Sequence, residues 1–568
     1  MSMTHYNPEN PLVVQGDHTI LVEVDSPRYG AARDELVRFA ELVKAPEHIH
    51  TYRVTPLSIW NACAAGTSVE EIGEALRGFS KYPVPANVET EIRDWALRYG
   101  RLRLSRNGED LVLEADDAVL AEQVSRHKAV VPLIVERLSR QTFRIRAQSR
   151  GEIKQALIKV GFPVEDLAGY VEGERLSFEL RAALKNGRPF ELRHYQVEAA
   201  DAFHAAGGAR GGSGVITLPC GAGKTIVALG CMAQLQTSTL ILTTSVTASR
   251  QWIRELLEKT TLAEDQIGEY SGLRKQIRPV TLATYQIMTW RQDREADFRH
   301  MELFNGRDWG LIVYDEVHLL PAPIFRATAG LQARRRLGLT ATLVREDGHE
   351  DDVFALIGPK KADVPWKVLE DQGWIAKATC TEIRIPLPEA ERMPYAIAER
   401  RVQFRLAAEN ERKIDVVRYI LAQHPDDLVL IIGMYLDQLK KLAEPLGVPI
   451  LTGQTPQRKR DEVFAEFREG RLRILAVSKI ANFAVDLPDA SVAIQISGTF
   501  GSRQEEAQRL GRILRPKEGA NQAHFYTIVT RDTVEQDFAL KRQLFLCEQG
   551  YNYSIVDSEE LTGPQLVR

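Results

Sequence analysis

From residue 186 onward, short apolar runs alternate with longer segments whose apolar positions recur every three to four residues. Uninterrupted apolar runs of this length read as strands covered on both faces. The amphipathic segments between them read as the covering helices, and the alternation predicts parallel sheets with crossover helices. The runs fall into two sets. Val215–Leu218, Leu240–Thr243, Leu311–Tyr314 and Leu337–Thr340 make the first. Leu428–Ile432, Arg473–Ser478, Ser491–Ser497 and His524–Val529 make the second, and each set suits one α/β domain. A polar, helix-prone stretch around 386–412, with Pro386, Pro388 and Pro394, separates them.

The N-terminal third has another texture. Thr55-Pro56 opens one helix, Ser68 and Glu71 form a capping box for a second, and Val88–Tyr99 carries a third pattern. Arg101-Leu102-Arg103-Leu104 then meets Leu111-Val112-Leu113 across Asn107-Gly108, a strong signal for a hairpin. Helices followed by a hairpin with arginines on one face predict a winged-helix-like module, suited to phosphate contact or to docking a partner. Residues 116–185 are mixed. Arg137, Arg140, Arg144, Arg146 and Arg150 cluster around Phe143, either to follow a nucleic-acid backbone or as a solvated face.

Composition changes this picture little. A chain of 568 residues suggests about four domains. A net charge of −4 neither announces nor excludes a nucleic-acid partner, whose footprint is local. Cys63, Cys220, Cys231, Cys380 and Cys547 are scattered and odd in number, which predicts reduced thiols and neither a zinc site nor a disulfide frame. The polar N-terminus shows no signal-peptide core, and the longest apolar runs, such as 428–436, fall short of a membrane span. The expected location is cytoplasmic.

The stretch VITLPCGAGKTIVALG at 215–230 places Gly221, Ala222, Gly223, Lys224 and Thr225 between a strand and a helix. Such a turn aims backbone N–H groups at one point and lets a phosphate approach, with the helix N-terminus adding partial positive charge. Lys224 supplies a full charge for β/γ-phosphates and the Thr225 hydroxyl suits Mg²⁺. The strict spacing fails, because its first glycine position is Leu218. Asp315-Glu316-Val317-His318 follows an apolar strand, where ligands of parallel sheets bind. Asp315 can hold Mg²⁺ through water, and Glu316 can polarise an attacking water. Upstream, Gln196 in Leu192-Arg193-His194-Tyr195-Gln196 can pair with an adenine edge or simply start a helix. Downstream, Arg509 and Arg512 share a helix face, as charge for a γ-phosphate transition state or as a solvated face.

DEVH, LPCGAGKT and QRLGR together resemble a superfamily 2 helicase with two RecA-like domains. LGLTATLVRED at 337–347, LIGPK at 356–360, ISGTFGSRQEEAQRLGRILR and KRQLFLCEQGYNY resemble the XPB DNA helicases more narrowly, from about 186 to 553. NPLVVQGDHTILVEV and PEHIHTYRVTPLSIWNA resemble the N-terminal module of prokaryotic members. The resemblance implies that Arg193 and Gln196 contact adenine, and that Gly221, Ala222, Gly223, Lys224, Thr225, Asp315 and Glu316 handle the phosphates and Mg²⁺. It implies that Arg509 and Arg512 complete the site, with Asp486 on the nucleotide face of the second domain. Thr340-Ala341-Thr342 would couple hydrolysis to motion, and Arg345-Glu346-Asp347 matches a motif tied to strand separation. Thr244, Thr284, Thr452, Gly453 and Ser478 are the candidates for phosphate-backbone contact. Two departures stand out. Where the family has Gly-Asp-Thr-Ser, this chain has Ala481-Asn482-Phe483-Ala484 before Val485-Asp486. The insert at 386–412 is also short for the family's thumb.

The expected organisation is therefore an α/β chain with two tandem RecA-like domains behind an α+β N-terminal region. An accessory module spans 1–115, a mixed basic segment resembling a damage-recognition domain 116–185, and a first RecA-like domain 186–380. A short thumb-like insert at 381–412 and a second RecA-like domain at 413–568 complete it. The expected function is an ATP- and Mg²⁺-dependent DNA helicase or translocase of the XPB type, with 3′-5′ polarity implied by the resemblance and a nuclease, transcription or repair protein as a possible partner. A duplex translocase, a partner-gated ATPase switch and an RNA helicase are the alternative readings.

Overall fold

A computed structural model describes residues 6–44, 48–108, 110–146, 149–185, 187–208, 211–219, 221–272, 274–291, 299–321, 323–324, 327–328, 334–341, 350–364, 369–370, 372–374, 376–478, 490–497, 522–548 and 551–561. The chain divides into two compact units. One holds Met1–Glu41, Thr51–Leu218 and Gly223–Val364, the other Leu42–His50, Pro219–Ala222 and Pro365–Arg568.

The first unit contains a seven-stranded, wholly parallel sheet. Its spatial order is Ile267–Tyr270, Val280–Thr284, Thr239–Thr243, Leu311–Asp315, Arg335–Thr340, Ser213–Thr217 and Lys360–Asp363. The four central strands are the predicted apolar runs, and they are buried along nearly their whole length because helices cover both faces. Lys360–Asp363 escapes the hydropathy pattern because an edge strand keeps one side in water; its residues are half-exposed or exposed. The second unit repeats the plan with seven parallel strands, in the order Ile450–Leu451, Ile474–Val477, Val429–Ile432, Val492–Gln495, Gln522–Thr530, Lys377–Ile385 and Asn552–Asp557.

Two expected boundaries fall inside continuous structure. The hairpin Leu102–Asn107/Asp110–Ala115 forms with the predicted turn, but it is not a free wing. Val112 pairs opposite Arg144, and the hairpin joins Ile134–Arg137, Thr142–Ile145 and Val164–Asp166 in one five-stranded sheet. The alternation that marks the hairpin also gives it an apolar face, Leu102, Leu104, Leu111 and Leu113. That face is buried against Leu120, Val124, Ile153 and Leu157, all beyond residue 115, so no domain ends there. The boundary at 380 falls inside Lys377–Ile385, whose nine residues pair in register with Gln522–Thr530. The thumb-like stretch 381–412 consists of the end of that strand and two helices, Glu389–Ile397 and Arg400–Ala408. In the second helix Phe404 is 1% exposed and meets Phe538 edge-on at 5.3 Å, so this segment is packed into the second unit.

The basic run is largely neutralised. Arg137 pairs with Glu122 at 2.9 Å, Arg144 with Glu136 at 2.9 Å, and Arg150 with Asp166 at 2.8 Å. Phe143 is 2% exposed, in the core, with the Arg137 guanidinium over its ring. Arg137 and Arg144 thus lie on a solvated, self-paired face, whereas Arg150 is buried.

Two features hold the units individually. In the first, the segment before the parallel sheet crosses the start of a central strand at backbone contact: a Cβ on Gly310 would lie 2.2 Å from the Glu172 carbonyl oxygen and 2.0 Å from Thr237 Oγ1. In the second, the buried Lys413 ammonium lies 2.8 Å from both oxygens of Glu535 and donates to the Ile496 carbonyl at 2.7 Å. Glu535 also accepts the Thr530 N–H at 2.9 Å. Lys413→Met leaves a buried carboxylate alone and should cost about 3–5 kcal/mol, most of it recovered by adding Glu535→Leu. Urea unfolding of the second unit's transition checks both.

Candidate active site

The predicted phosphate residues gather at the carboxyl ends of the first unit's parallel strands. Ser213–Thr217 leads through a turn into the helix Lys224–Leu235, with Gly221 at φ +82° and Gly223 at φ +83°. Only glycine takes up such angles freely. At Gly223 a side chain is excluded twice over, because a Cβ would sit 2.7 Å from Gln196 Nε2. The helix therefore opens on Lys224 and Thr225, at the end that carries its partial positive charge.

Gln196 lies against this turn, 3% exposed. Its Oε1 accepts the Arg193 N–H at 3.0 Å, and its Nε2 donates to the Tyr195 hydroxyl at 3.3 Å. The Arg193 guanidinium donates to the same hydroxyl at 3.3 Å. Arg193 and Gln196 are thus brought to the glycine turn, and the amide performs the helix-start role as well.

Opposite the turn, Lys224 Nζ donates to Glu316 Oε1 at 2.6 Å, with the two side chains only 13% and 15% exposed. Glu316 is left-handed at φ +50°, ψ +58°, directly after the strand Leu311–Asp315. Such a backbone costs about 1–3 kcal/mol for a residue with a Cβ and persists where surrounding contacts hold it. Here they include the Ala341 backbone, which donates to the carboxylate. His318 Nδ1 lies 3.7 Å from Glu316 Oε2 and 2.7 Å from Thr340 Oγ1. Thr340 and Ala341 are thereby joined to the acidic pair.

The neighbouring carboxyls are driven apart. Burial and the adjacent Glu316 charge raise Asp315 to about 6, despite the nearby Lys224. Burial also works to raise Glu316, but Lys224 and then His318 overcome it and hold that carboxyl below its ordinary value. One carboxylate stays ionised while its neighbour titrates near neutrality, as acid–base sites require.

The backbone-contact candidates separate by exposure. Thr243 pairs opposite Thr284 and Leu242 opposite Tyr314, so the three strands end level, with Thr244 half-buried at the rim. The Thr284 hydroxyl is buried and caps Ile287 N–H at 3.2 Å. In the second unit, Thr452 is half-buried and Gly453 exposed, whereas Ser478 is 5% exposed with its N–H on the Leu451 carbonyl. Asp486, Arg509, Arg512, Thr342, Arg345, Glu346, Asp347 and the 481–484 departure lie outside the described residues.

Sequence reasoning missed two residues here. Trp252 Nε1 donates to Asp315 Oδ2 at 3.0 Å, and the Tyr285 hydroxyl donates to the Asp315 carbonyl at 2.8 Å. Sixty-three and thirty residues separate the partners, so no local pattern marks them. The only hint was an aromatic residue shortly after each candidate threonine turn.

The donors fit a hard cation. Thr225 and Asp315 offer oxygen, and among the described residues no group of three or more His, Cys, Asp or Glu could form a protein cage. That pattern suits Mg²⁺ held by one or two protein oxygens, phosphate oxygens and water.

Residues 369–564 match the family described as ERCC3/RAD25/XPB C-terminal helicase, residues 189–345 the type III restriction enzyme res subunit, and residues 12–139 a helicase conserved C-terminal domain. The chain is 52% identical over 559 residues to the DNA 3′-5′ helicase XPB of Mycobacterium tuberculosis, covering 98% of this chain and 100% of that one. It is 53% identical over 556 residues to the DNA 3′-5′ helicase XPB of Kineococcus radiotolerans, covering 98% of each. A more distant relative, the general transcription and DNA repair factor IIH helicase/translocase subunit XPB of Antonospora locustae, is 32% identical over 98% of this chain and 83% of its own length.

Proposed function

The chain belongs to the XPB family of ATP-dependent DNA 3′-5′ helicases, and from that premise we propose which residues do the work. The observation that carries the assignment is the Lys224–Glu316 pair at 2.6 Å, set between a glycine turn and the end of a central strand. Each neutralises the other. Phosphate oxygens compete for Lys224, and Glu316 is then left as an ionised base for the attacking water. Thr225 and Asp315 would hold Mg²⁺, whose charge would screen the phosphates. Arg193 and Gln196 take the adenine, and Asp486 belongs to the same nucleotide site. Arg509 and Arg512 supply positive charge to the transition state.

Thr340, Ala341 and Thr342 act as the coupling segment, a role supported by the bonds from Thr340 to His318 and from Ala341 to Glu316. Thr244, Thr452 and Gly453 are the accessible backbone contacts, while Thr284 and Ser478 act by shaping their turns. Arg345, Glu346 and Asp347 act in strand separation. The relatives' names favour DNA over RNA and a motor over a passive switch. The Antonospora relative's name, a subunit of factor IIH, makes a transcription or repair assembly the class of partner to seek. Among the described residues no helix is long and apolar enough to cross a membrane.

Steady-state ATPase rates with no nucleic acid, single-stranded, duplex and forked DNA, and RNA test this reading. Stimulation by forked or single-stranded DNA is expected, and stimulation by RNA alone would sink it. A second expectation concerns pH. A proton and Mg²⁺ compete for Asp315, which titrates at about 6. The half-activating Mg²⁺ concentration should therefore be flat above neutrality and rise toward about ten-fold per unit as pH falls below that value. An Mg²⁺ titration at several pH values checks it.

A further inference from the structure

We propose that Trp252 and Tyr285 are positioning residues through which contact with a nucleic-acid backbone at the Thr244 turn, and movement of the adjoining turn capped by Thr284, reach Asp315. The proposal rests on the motor reading above and names the route of its coupling.

Three adjacent strands end level, at Thr243, Thr284 and Asp315. The strands ending at Thr243 and Thr284 lead directly into helices, and each helix returns one buried aromatic donor to Asp315. The helix Val246–Lys259 is capped by Ser245, whose Oγ accepts the Ala248 N–H at 3.1 Å. Thr243 Oγ1 is tied to Ser249 Oγ at 2.7 Å, which fixes the turn to that helix. About two turns in, Trp252 is 2% exposed and its indole N–H holds Asp315 Oδ2 at 3.0 Å. The short helix Tyr285–Met288 is capped by Thr284. Its first residue, Tyr285, is 5% exposed and reaches past the intervening strand to donate to the Asp315 carbonyl at 2.8 Å.

Asp315 is thus held at its carboxylate from one turn and at its backbone from the other. Close-packed surroundings transmit a shift of either helix instead of absorbing it, and Tyr285 is part of the same core cluster as Tyr314. A turn that moves on gripping a phosphate therefore changes how well Asp315 is aimed. Groups that orient a metal ligand in this way typically contribute about 10–100-fold to metal affinity or activity.

The test compares the full-length wild type with Trp252→Phe and Tyr285→Phe. ATP hydrolysis is followed against Mg²⁺, with and without single-stranded DNA, and DNA binding is followed by anisotropy. Trp252→Phe should bind DNA as wild type does, yet lose at least five-fold of its stimulation ratio. Its half-activating Mg²⁺ should rise about ten-fold. Tyr285→Phe removes one oxygen and keeps the ring, so it guards against a folding artefact, and it should lower the stimulation ratio with a smaller change in half-activating Mg²⁺. Variants that keep the wild-type ratio overturn the relay. A wild type stimulated by no nucleic acid removes the motor reading and the relay with it; a stimulated wild type with unaltered variants removes the relay alone.

Discussion

Glu316→Gln should bind ATP and hydrolyse it at about a thousandth of the wild-type rate or less, the scale expected when a positioned base is removed. The substitution is nearly isosteric, so the left-handed backbone at 316, the Ala341 contact and the packing are expected to persist. What disappears is the charge that Lys224 and His318 hold ionised. Lys224→Ala should be equally slow but should also weaken nucleotide binding, because it removes the charge that meets the phosphates. Single-turnover hydrolysis together with fluorescent-nucleotide binding separates the two. Wild-type turnover in Glu316→Gln would remove the base assignment.

The second large effect concerns folding rather than chemistry. Gly310→Ala asks for a methyl group 2.0 Å from Thr237 Oγ1 and 2.2 Å from the Glu172 carbonyl oxygen. Thr237 Oγ1 already donates to that carbonyl at 2.7 Å, and the Gly310 N–H is bonded to Ser238 at 3.0 Å, so neither side is placed to give way. A Cβ at Gly173 would meet Gly310 N at 2.2 Å with φ at +74°, so Gly173→Ala should behave alike. Each should destabilise the first unit by about 3 kcal/mol or more, an overpacking effect at the top of its usual range. The first thermal transition should drop by roughly 4 °C or more. An unchanged transition in both would mean that the two segments do not cross at contact distance.

These two sites differ in how far they could be read in advance. That the glycine turn, Lys224 and the acidic pair come together was legible, because each lies within a few positions of the end of an apolar strand. The central strands were legible because burial on both faces leaves unbroken apolar runs. Lys377–Ile385 was not, since its sequence, KATCTEIRI, alternates small polar and apolar residues and reads like a boundary. It is nonetheless a central strand, paired on both sides. The hairpin was recognised by its turn, but its apolar face said nothing of which later segment would cover it. Trp252 and Tyr285 were invisible for the same reason: their partner is set by strand order, which hydropathy does not encode. The Gly173–Gly310 approach left no trace at all in the sequence pattern.

The placement of Lys377–Ile385 has one more consequence. Its neighbours in the second sheet are Gln522–Thr530 and Asn552–Asp557, so Lys377 must wait for a partner 145 residues later in the chain. At ribosomal speeds of about 5–20 residues per second, that strand emerges on the order of ten seconds before either neighbour exists. During this interval its ladder hydrogen bonds go unmade, although Ile383 and Ile385 can already meet Val416, Val417 and Ile420 of the same core. The first unit closes its own sheet by residue 363 and is free of this delay. Birth of the protein is therefore asymmetric. Its amino-terminal sheet can close earlier in synthesis than the carboxyl-terminal one, and a chain cut before 522 lacks two of the second sheet's seven strands.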